Sequence, residues 1–321
     1  MDLIYTNASR EDIGVLLDYE LDMAFGADEN NFECRVQASS HCCEEGFMLY
    51  VEGTEYGGVV DGIESISATQ EVVYSGRTWH GILNSKVIEP DNGEAYLVLT
   101  GEANVVIGSL LTKMGLSGLF DASSVASGIR INGYRMQRYV TGYDGLMKML
   151  ASVGAKLQMS FLDGKVVLAA VEKHDYTQDE EFDSDQVDFT VKKKFNTVNH
   201  LVCLGSGELE NRTVIHLYAD KGGNISQIQT QFEMDEYSAV LNYPNAESEE
   251  DLLQSGTERL KKLWEPDEMS VDFDATDNTY DVGDIVGAFD NVTQISVAAE
   301  IAKKIVTIKN GQITISYKVG E

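Results

Sequence analysis

Proline and cysteine are scarce in this chain of 321 residues. It contains 3 prolines and no run rich in glycine and serine. The sequence therefore offers no flexible linker, and we expect its domains to pack against one another. The 4 cysteines are Cys34, Cys42, Cys43 and Cys203. Their irregular spacing argues against a disulfide framework and is typical of reduced thiols in a protein made in the cytoplasm.

Basic residues are also few. The chain has 24 lysines and arginines against 53 acidic residues, which gives a net charge of -29. A surface this acidic repels phosphate backbones and anionic lipids, so a nucleic-acid-binding protein is not expected. No segment approaches the ~18 apolar residues of a membrane-spanning helix. The N-terminus lacks the basic and apolar regions of a signal peptide, which predicts cytoplasmic synthesis without stable membrane insertion.

Strand patterns predominate in what is present. Segment 306–315 alternates apolar and polar residues around an Asn-Gly pair, which favours a type I′ turn. Pairing across that turn places Ile308 opposite Ile313 and Val306 opposite Ile315, on one face. The sequence therefore predicts a β-hairpin here.

A second hairpin is predicted over 157–168, where an Asp-Gly turn brings Phe161 opposite Val166. A third is predicted near 221–224. The other predicted strands cover 32–37, 47–52, 62–67, 71–74, 96–99, 200–204, 212–218 and 269–273.

Three helices are predicted from apolar periodicity, over 104–114, 144–153 and 249–264. The third has Ser248 as its expected N-cap, acids in its first turn and lysines in its last, all of which suit the helix dipole. The acidic run 172–188 is interpreted as a solvated loop between domains.

Two residue clusters were weighed as metal sites. Cys34, His41, Cys42 and Cys43 lie close in sequence, but adjacent cysteines in a strand point to opposite faces. Free buried thiols are therefore favoured over zinc. The second cluster lacks the spacing of a calcium-binding loop, so a solvated turn is favoured. Its members are Asp272, Asp274, Asp277 and Asp281.

No catalytic constellation follows from the spacing of nucleophiles. His200 and Cys203 are three residues apart in a predicted strand and should point to opposite faces. Gly205-Ser206-Gly207 lacks the spacing of a nucleophile elbow or a phosphate-binding loop and is interpreted as a turn. Among 53 acids a pair suitable for glycoside hydrolysis carries no information. We therefore predict no catalytic residue, no cofactor-binding residue, no metal ligand and no enzymatic activity.

Three short stretches resemble a known family. They are 76–83 closed by 88–90, 204–212 continuing to 217–220, and 281–287 continuing to the C-terminal hairpin. In order and spacing they resemble the baseplate hub proteins at the tail tip of long-tailed bacteriophages and prophages, related to the N-terminal hub of tail-associated lysins.

The residues of the first stretch also have ordinary structural interpretations. Arg77 is expected to form an ion pair within the fold or across a subunit contact. Trp79, at an alternating strand position, is expected in the core, and His80 on the surface of the same strand. Pro90 is expected to end the segment at a strand edge.

The predicted fold is mainly β with α+β character. Two small antiparallel β-barrel-like domains are expected at 1–90 and 185–321, the second with helix 249–264 inserted. An α/β lobe at 91–184, ending in the acidic loop, is expected between them.

The resemblance implies an architectural function. Such hubs form homotrimeric rings that close the tail tube, dock under a hexameric distal tail ring protein, contact the tape measure protein and let DNA pass without binding it. The expected location is the virion tail tip. Two alternatives remain open: a peptidoglycan hydrolase and a carbohydrate-binding receptor module. Because the chain ends directly after the hub-like hairpin, a separate hydrolase domain is not expected.

Overall fold

A computed structural model describes residues 2–320 except 28, 179–180, 184–189, 194–196, 265–266, 276–279 and 310. The helices are α1 Trp79–Asn84, α2 Ala103–Lys113, α3 Gly142–Ala151 and α4 Glu249–Trp264. The first twelve strands are β1 Leu3–Thr6, β2 Asp12–Leu16, β3 Tyr19–Gly26, β4 Asn31–Gln37, β5 Met48–Tyr50, β6 Gly57–Ile66, β7 Glu71–Thr78, β8 Val87–Ile88, β9 Leu97–Glu102, β10 Phe120–Ala122, β11 Arg130–Met136 and β12 Val140–Thr141. The others are β13 Ala155–Leu162, β14 Lys165–Glu172, β15 Glu181–Asp183, β16 Thr190–Lys193, β17 His200–Leu204, β18 Val214–Ala219, β19 Ile225–Ser226, β20 Ser238–Asn242, β21 Asp267–Ala275, β22 Ile285–Asp290, β23 Ile295–Lys309 and β24 Gln312–Val319.

The chain forms two compact units. Unit 1 comprises Met1–Phe189, Ser270–Asn291 and Ala298–Glu321. Unit 2 comprises Thr190–Met269 and Val292–Val297. The C-terminal strands therefore return to the unit that contains the N-terminus.

Unit 1 contains a large antiparallel sheet with the strand order β21-β24-β23-β3-β4-β7-β6-β5-β1-β2. The β23–β24 pairing confirms the predicted C-terminal hairpin, with Ile308 opposite Ile313 and Val306 opposite Ile315. Asn310, at the predicted turn, lies outside the described residues. Val306, Ile308 and Ile315 are buried, so the predicted face is the one that packs into the core.

A three-stranded sheet, β10-β14-β13, forms the second layer of unit 1. The β13–β14 pairing confirms the second predicted hairpin, because Phe161 lies opposite Val166. Helices α2 and α3 pack on this sheet and bury Ile107, Leu111 and Leu146 in a common core. The two predicted helices therefore exist, each beginning one or two residues earlier than the sequence indicated.

Unit 2 is a four-stranded sheet, β19-β18-β17-β20, with α4 on one face. Leu252 and Leu260 of α4 are fully buried against this sheet. Ser248 accepts a hydrogen bond from the Asp251 amide at 3.1 Å, as the predicted N-cap requires. The predicted third hairpin is also present, because Ala219 pairs with Ile225.

The prediction of a mainly β fold with a few helices is confirmed. In the part of the chain that the structure describes, however, the strand pairing closes no barrel. The interpretation of 172–188 as a loop is wrong at β15. The backbone of β15 forms hydrogen bonds with β22 in a parallel pairing, which makes it a strand despite its acidic sequence. Residues 179–180 and 184–188 of that run lie outside the described residues. No helix among the described residues is long and apolar enough to cross a membrane.

Candidate functional site

The family-like segment begins as strand and ends as helix. β7 carries the chain through Arg77 to Thr78, and α1 starts at Trp79, so the strand positions predicted for Trp79 and His80 are wrong. Thr78 is the N-cap, and its Oγ1 accepts a hydrogen bond from the Gly81 amide at 3.3 Å. A Cβ on Gly81 would lie 2.1 Å from the Asn30 carbonyl oxygen. Glycine is therefore required for the close approach of α1 to the neighbouring chain.

Trp79 is fully buried, as predicted, although on a helix and not on a strand. Its ring stacks on Phe161 of β13 with centroids 5.4 Å apart and an interplanar angle of 16°. A Cβ on Gly57 would lie 2.6 Å from the indole ring, so β6 passes directly over it. Trp79 therefore joins the family-like segment to both layers of unit 1.

His80 does not lie on the surface, because α1 turns its side chain into the core. The residue is 5 % exposed, and its ring centroid lies 4.9 Å from that of Phe25 and 5.4 Å from that of Tyr143. Its Nδ1 has no hydrogen-bond partner, and Nε2 lies 3.7 Å from Glu55 Oε2. Burial, with a smaller effect of Lys304, lowers the pKa of His80 to about 3 against the opposing influence of Asp281. The imidazole is therefore neutral at neutral pH.

Arg77 forms its ion pair within the fold, which was one of the two predicted outcomes. Its Nε and Nη2 donate to the two oxygens of Asp61 on β6 at 2.7 and 2.8 Å. The hydrogen bonds from Arg77, the largest influence, lower the pKa of Asp61. Arg77 also lines a surface groove of about 430 Å³ whose acidic wall includes Asp22, Glu29 and Glu33. The guanidinium of Arg77 is therefore already bound to Asp61, next to an acidic groove.

A buried ion network lies behind the family-like segment. At its centre is Lys304 of β23, which is fully buried. Its Nζ lies 2.5 Å from Glu55 Oε1, 3.7 Å from Asp281 Oδ1 and 5.5 Å from the centroid of the Tyr56 ring. Glu55 and Lys304 are 249 residues apart in the chain. The network therefore ties the C-terminal strands to the N-terminal part of unit 1.

The third family-like stretch supplies the other half of this network. Asp284 is 1 % exposed, and its Oδ2 accepts hydrogen bonds from Lys156 Nζ at 2.8 Å and the Asp281 amide at 3.0 Å. Its Oδ1 accepts from the His174 amide at 2.9 Å. Gly283 closes the turn with φ +93°, a conformation that favours glycine. The stretch forms a turn held on both sides by Asp284.

The electrostatics of the network favour a fixed charge arrangement. Burial alone would lower the pKa of Lys304, but Glu55 and Asp281 raise it above its ordinary value. Burial, reinforced by Glu55, raises the pKa of Asp281 although both lysines oppose this. An unpaired charge at such depth would cost several kcal/mol, so each group depends on the others remaining in place. The geometry suits cohesion between distant segments of unit 1.

The described members of the cysteine and aspartate clusters form no group of three possible metal ligands. Cys34 and Cys43 are buried, and burial raises the pKa of the Cys34 thiol to about 12. His41 Nδ1 lies 2.9 Å from the Tyr74 hydroxyl. Within the described ranges, no three His, Cys, Asp or Glu side chains are placed to hold a metal ion. The solvated turn favoured for the four aspartates is wrong at Asp281, which belongs to the buried ion network. Asp277 and the side chains of Asp272 and Asp274 lie outside the described part of the chain.

The second family-like stretch forms a turn in unit 2, as predicted. Arg212 Nε donates to the Gly205 carbonyl at 3.1 Å, and a Cβ on Gly207 would lie 2.4 Å from the Asn211 carbonyl oxygen. Cys203 packs beneath α4, where a Cβ on Gly256 would lie 2.5 Å from its sulfur. His200 extends from the opposite face, as the strand spacing indicated.

Sequence reasoning missed the partners of His200. Its Nε2 lies 2.9 Å from His216 Nδ1 on β18, and its Nδ1 lies 2.6 Å from Glu236 Oε1. The bond to His200 is the largest influence lowering the pKa of Glu236. The β17–β18 register places His216 diagonally across from His200. No local sequence motif predicts this pair, because the register is not known from the sequence. His200, His216 and Glu236 thus contact one another on the face of the sheet opposite α4.

No protein-family model matches the chain, and no curated protein sequence matches it. Solved structures do share its fold. The tail protein from Neisseria meningitidis MC58 is similar over 100% of this chain and 96% of that one, with a TM-score of 0.57 and 10% identity. The 43 kDa tail protein of prophage MuSo2 from Shewanella oneidensis is similar over 99% of this chain and 97% of its own, with a TM-score of 0.59 and 10% identity.

A third similar structure is prophage tail protein gp18 from Listeria monocytogenes EGD-e. The similarity covers 99% of this chain and 94% of that one, with a TM-score of 0.56 and 11% identity. All three similarities extend along the whole chain and include both units. The resemblance inferred from the three short stretches is thereby confirmed at the level of the fold: the chain has the fold of phage and prophage tail proteins.

Proposed function

We propose that the protein is a structural component of the tail-tip baseplate hub of a phage or prophage. In this role it forms a ring that closes the tail tube and connects it to host-recognition parts, and it breaks no bond in a substrate. The location that follows is the virion tail tip.

One observation carries the proposal: the similarity to three tail proteins covers 99% or more of this chain and 94% or more of each of theirs. One fold can host unrelated functions, so the support comes from similarity over whole chains and not over a single domain. The buried ion network adds support, because its charges link distant segments of unit 1. His80 beside it is neutral and adds no further buried charge. Such a network suits a rigid part.

The proposed assembly is a homotrimer. In this proposal regions 1–90 and 185–321, on either side of 91–184, each contribute a β surface, and β3 of the first pairs with β23 of the last within one sheet. Three subunits would then present six similar surfaces to a hexameric distal tail ring protein, and the tape measure protein would lie on the axis. A closed ring also covers sheet edges that an isolated chain exposes.

The net charge of -29 constrains that assembly. Three such chains repel one another, so we propose apolar contacts between subunits and acids on the lumen and outer surface, where DNA passes without binding. Sedimentation of the trimer at rising salt concentration tests this. Screening should leave the trimer intact or tighten it. A trimer that dissociates as salt rises would be held by attractive ion pairs, and the proposed contacts would be wrong.

Electron microscopy of the purified chain with the ring protein tests the hub itself. The expected particles are rings with threefold symmetry stacked on the hexamer. Turnover of purified peptidoglycan by the chain would instead identify a hydrolase. Specific glycan binding without ring formation would identify a receptor module.

A further inference from the structure

An apolar stripe lies on an edge strand of unit 1. β2 is the last strand of the large sheet and pairs only with β1 among the described residues. Its inward positions are closed, because Leu16 is buried and Gly14 lies against the Tyr5 ring. Its outward side chains are apolar and exposed: Ile13 by 55%, Val15 by 43% and the adjoining Leu17 by 86%. Ile13 and Val15 share one face of β2, and Leu17 follows directly after its last residue. These three exposed apolar residues are called the apolar stripe.

This edge lacks the usual protection along most of its length. Proteins shield edge strands with lysine, proline, inward charges or bulges. β2 has a bulge only at its start, where Tyr5 pairs with Gly14 and Thr6 with Asp12, which leaves Ile13 unopposed. From Gly14 to Leu17 the sequence contains neither a charge nor a proline. The free backbone groups and the stripe together suit the addition of an extended strand.

The charges at the ends of the stripe select the occupant. Exposed Asp12 is the first residue of β2, and its Oδ1 accepts a hydrogen bond from the Tyr50 hydroxyl at 2.7 Å. Exposed Asp18 follows the stripe. A second copy pairing antiparallel about Val15 would place Asp12 opposite Asp18, and a parallel copy would place each aspartate opposite itself. Either arrangement sets like charges across from each other, which is destabilising. A foreign strand with basic residues at both ends would meet an acid at each end.

We propose that β2 is a docking edge for an extended segment of another protein, with alternating apolar side chains and basic residues at its ends. The segment adds to the sheet beside Gly14–Leu17 and packs its apolar side chains along Ile13, Val15 and Leu17. This proposal does not depend on the ring, because docking is measured on the single chain.

The test uses a synthetic peptide of alternating valine and threonine with lysines at both ends. A matched peptide carries glutamates in place of the lysines. We expect fluorescence anisotropy to show binding of the lysine peptide at least tenfold tighter than that of the glutamate peptide, with the difference shrinking as salt rises. Hydrogen exchange should slow at the amides of residues 14–18 when the lysine peptide is bound.

The variant Val15→Lys should weaken binding of the lysine peptide at least tenfold, because it interrupts the stripe and repels the basic ends. The matched control is Val98→Lys, which changes a strand valine that is 57% exposed elsewhere in unit 1 and should leave binding unchanged. Thermal melts of both variants show whether each remains folded.

Three results would overturn the proposal. They are no binding of the lysine peptide, equal binding of both peptides, and undiminished binding by a folded Val15→Lys variant. A fall in the oligomeric mass of the chain on the same substitution would show that a second copy covers the edge instead. Loss of peptide binding with normal ring formation would separate this docking edge from the proposed trimer.

Discussion

The cores of the two units are built from different kinds of contact. In unit 1, residues far apart in the chain meet in the core: Lys156 and Asp284 are 128 residues apart, and Lys304 and Glu55 are 249 apart. In unit 2, the described hydrophobic core comes from segments between Val198 and Trp264, with one helix on one face of a small sheet. Unit 1 thus buries charged groups from distant segments, whereas in the described part of unit 2 the sheet face opposite α4 carries exposed side chains such as Val240.

The largest expected effect is on the ion network of unit 1. Lys304→Met leaves Glu55 and Asp281 buried without their cation and should reduce the free energy of unfolding by about 3–5 kcal/mol. Lys309→Met, on the same strand, removes a pair whose lysine side chain is 61% exposed and should cost under about 1 kcal/mol. Urea denaturation measures both. Equal costs would mean that the network does not stabilise unit 1.

The core of unit 2 provides the next largest effect. Leu252→Ala removes a fully buried side chain of α4 and should destabilise unit 2 by about 2–5 kcal/mol. Hydrogen exchange should accelerate in β17, β18 and α4 while the amides of unit 1 keep their protection. If protection fell equally in both units, they would unfold as one cooperative block and the comparison would fail.

His80 gives unit 1 a predicted pH dependence. Its pKa is about 3 in the folded protein against an ordinary 6.5, so between these values the unfolded chain binds the proton more tightly. The stability from neutral His80 is full above pH 6.5 and is lost as pH falls towards 3, by up to about 1.4 kcal/mol per pH unit. Denaturation at a series of pH values should show a flatter acid slope for His80→Phe.

The smallest effect is expected on the open face of unit 2. Val240 of β20 is 65% exposed there, so Val240→Thr should alter stability by no more than about 0.5 kcal/mol. Leu241 is its neighbour on the face that α4 covers, and Leu241→Thr should cost about 1–3 kcal/mol. Thermal melts of the pair compare the two faces. A cost for Val240→Thr that matched the Leu241 variant would show that this face is covered after all.

The sequence predicts the elements that local signals define and misses the contacts that only the tertiary fold creates. The C-terminal hairpin and α4 were predicted correctly because a turn signal or an N-cap coincides with local periodicity. The six-residue α1 is too short to show a helical period, so His80 was assigned to a surface strand. Its burial depends on Glu55, Lys304 and Asp281, which only the tertiary fold brings together.

The buried ion network could not be read from the sequence for a similar reason. Among 53 acids and 24 bases, no local pattern distinguishes the few that lose their solvent. Asp281 was weighed as part of a calcium-binding turn because its neighbours are acidic, whereas the structure pairs it with lysines from distant strands. The register of a sheet, and not composition, decides which charges become buried.

The proposed ring can be tested by the mass of the chain in solution. Light scattering should be recorded for the chain alone and after mixing with the hexameric ring protein of the same tail. If the proposed hub function is correct, three copies of the 35.4 kDa chain join one hexamer, whether or not the trimer forms beforehand. A chain that stayed monomeric in every mixture and bound no ring protein would contradict it.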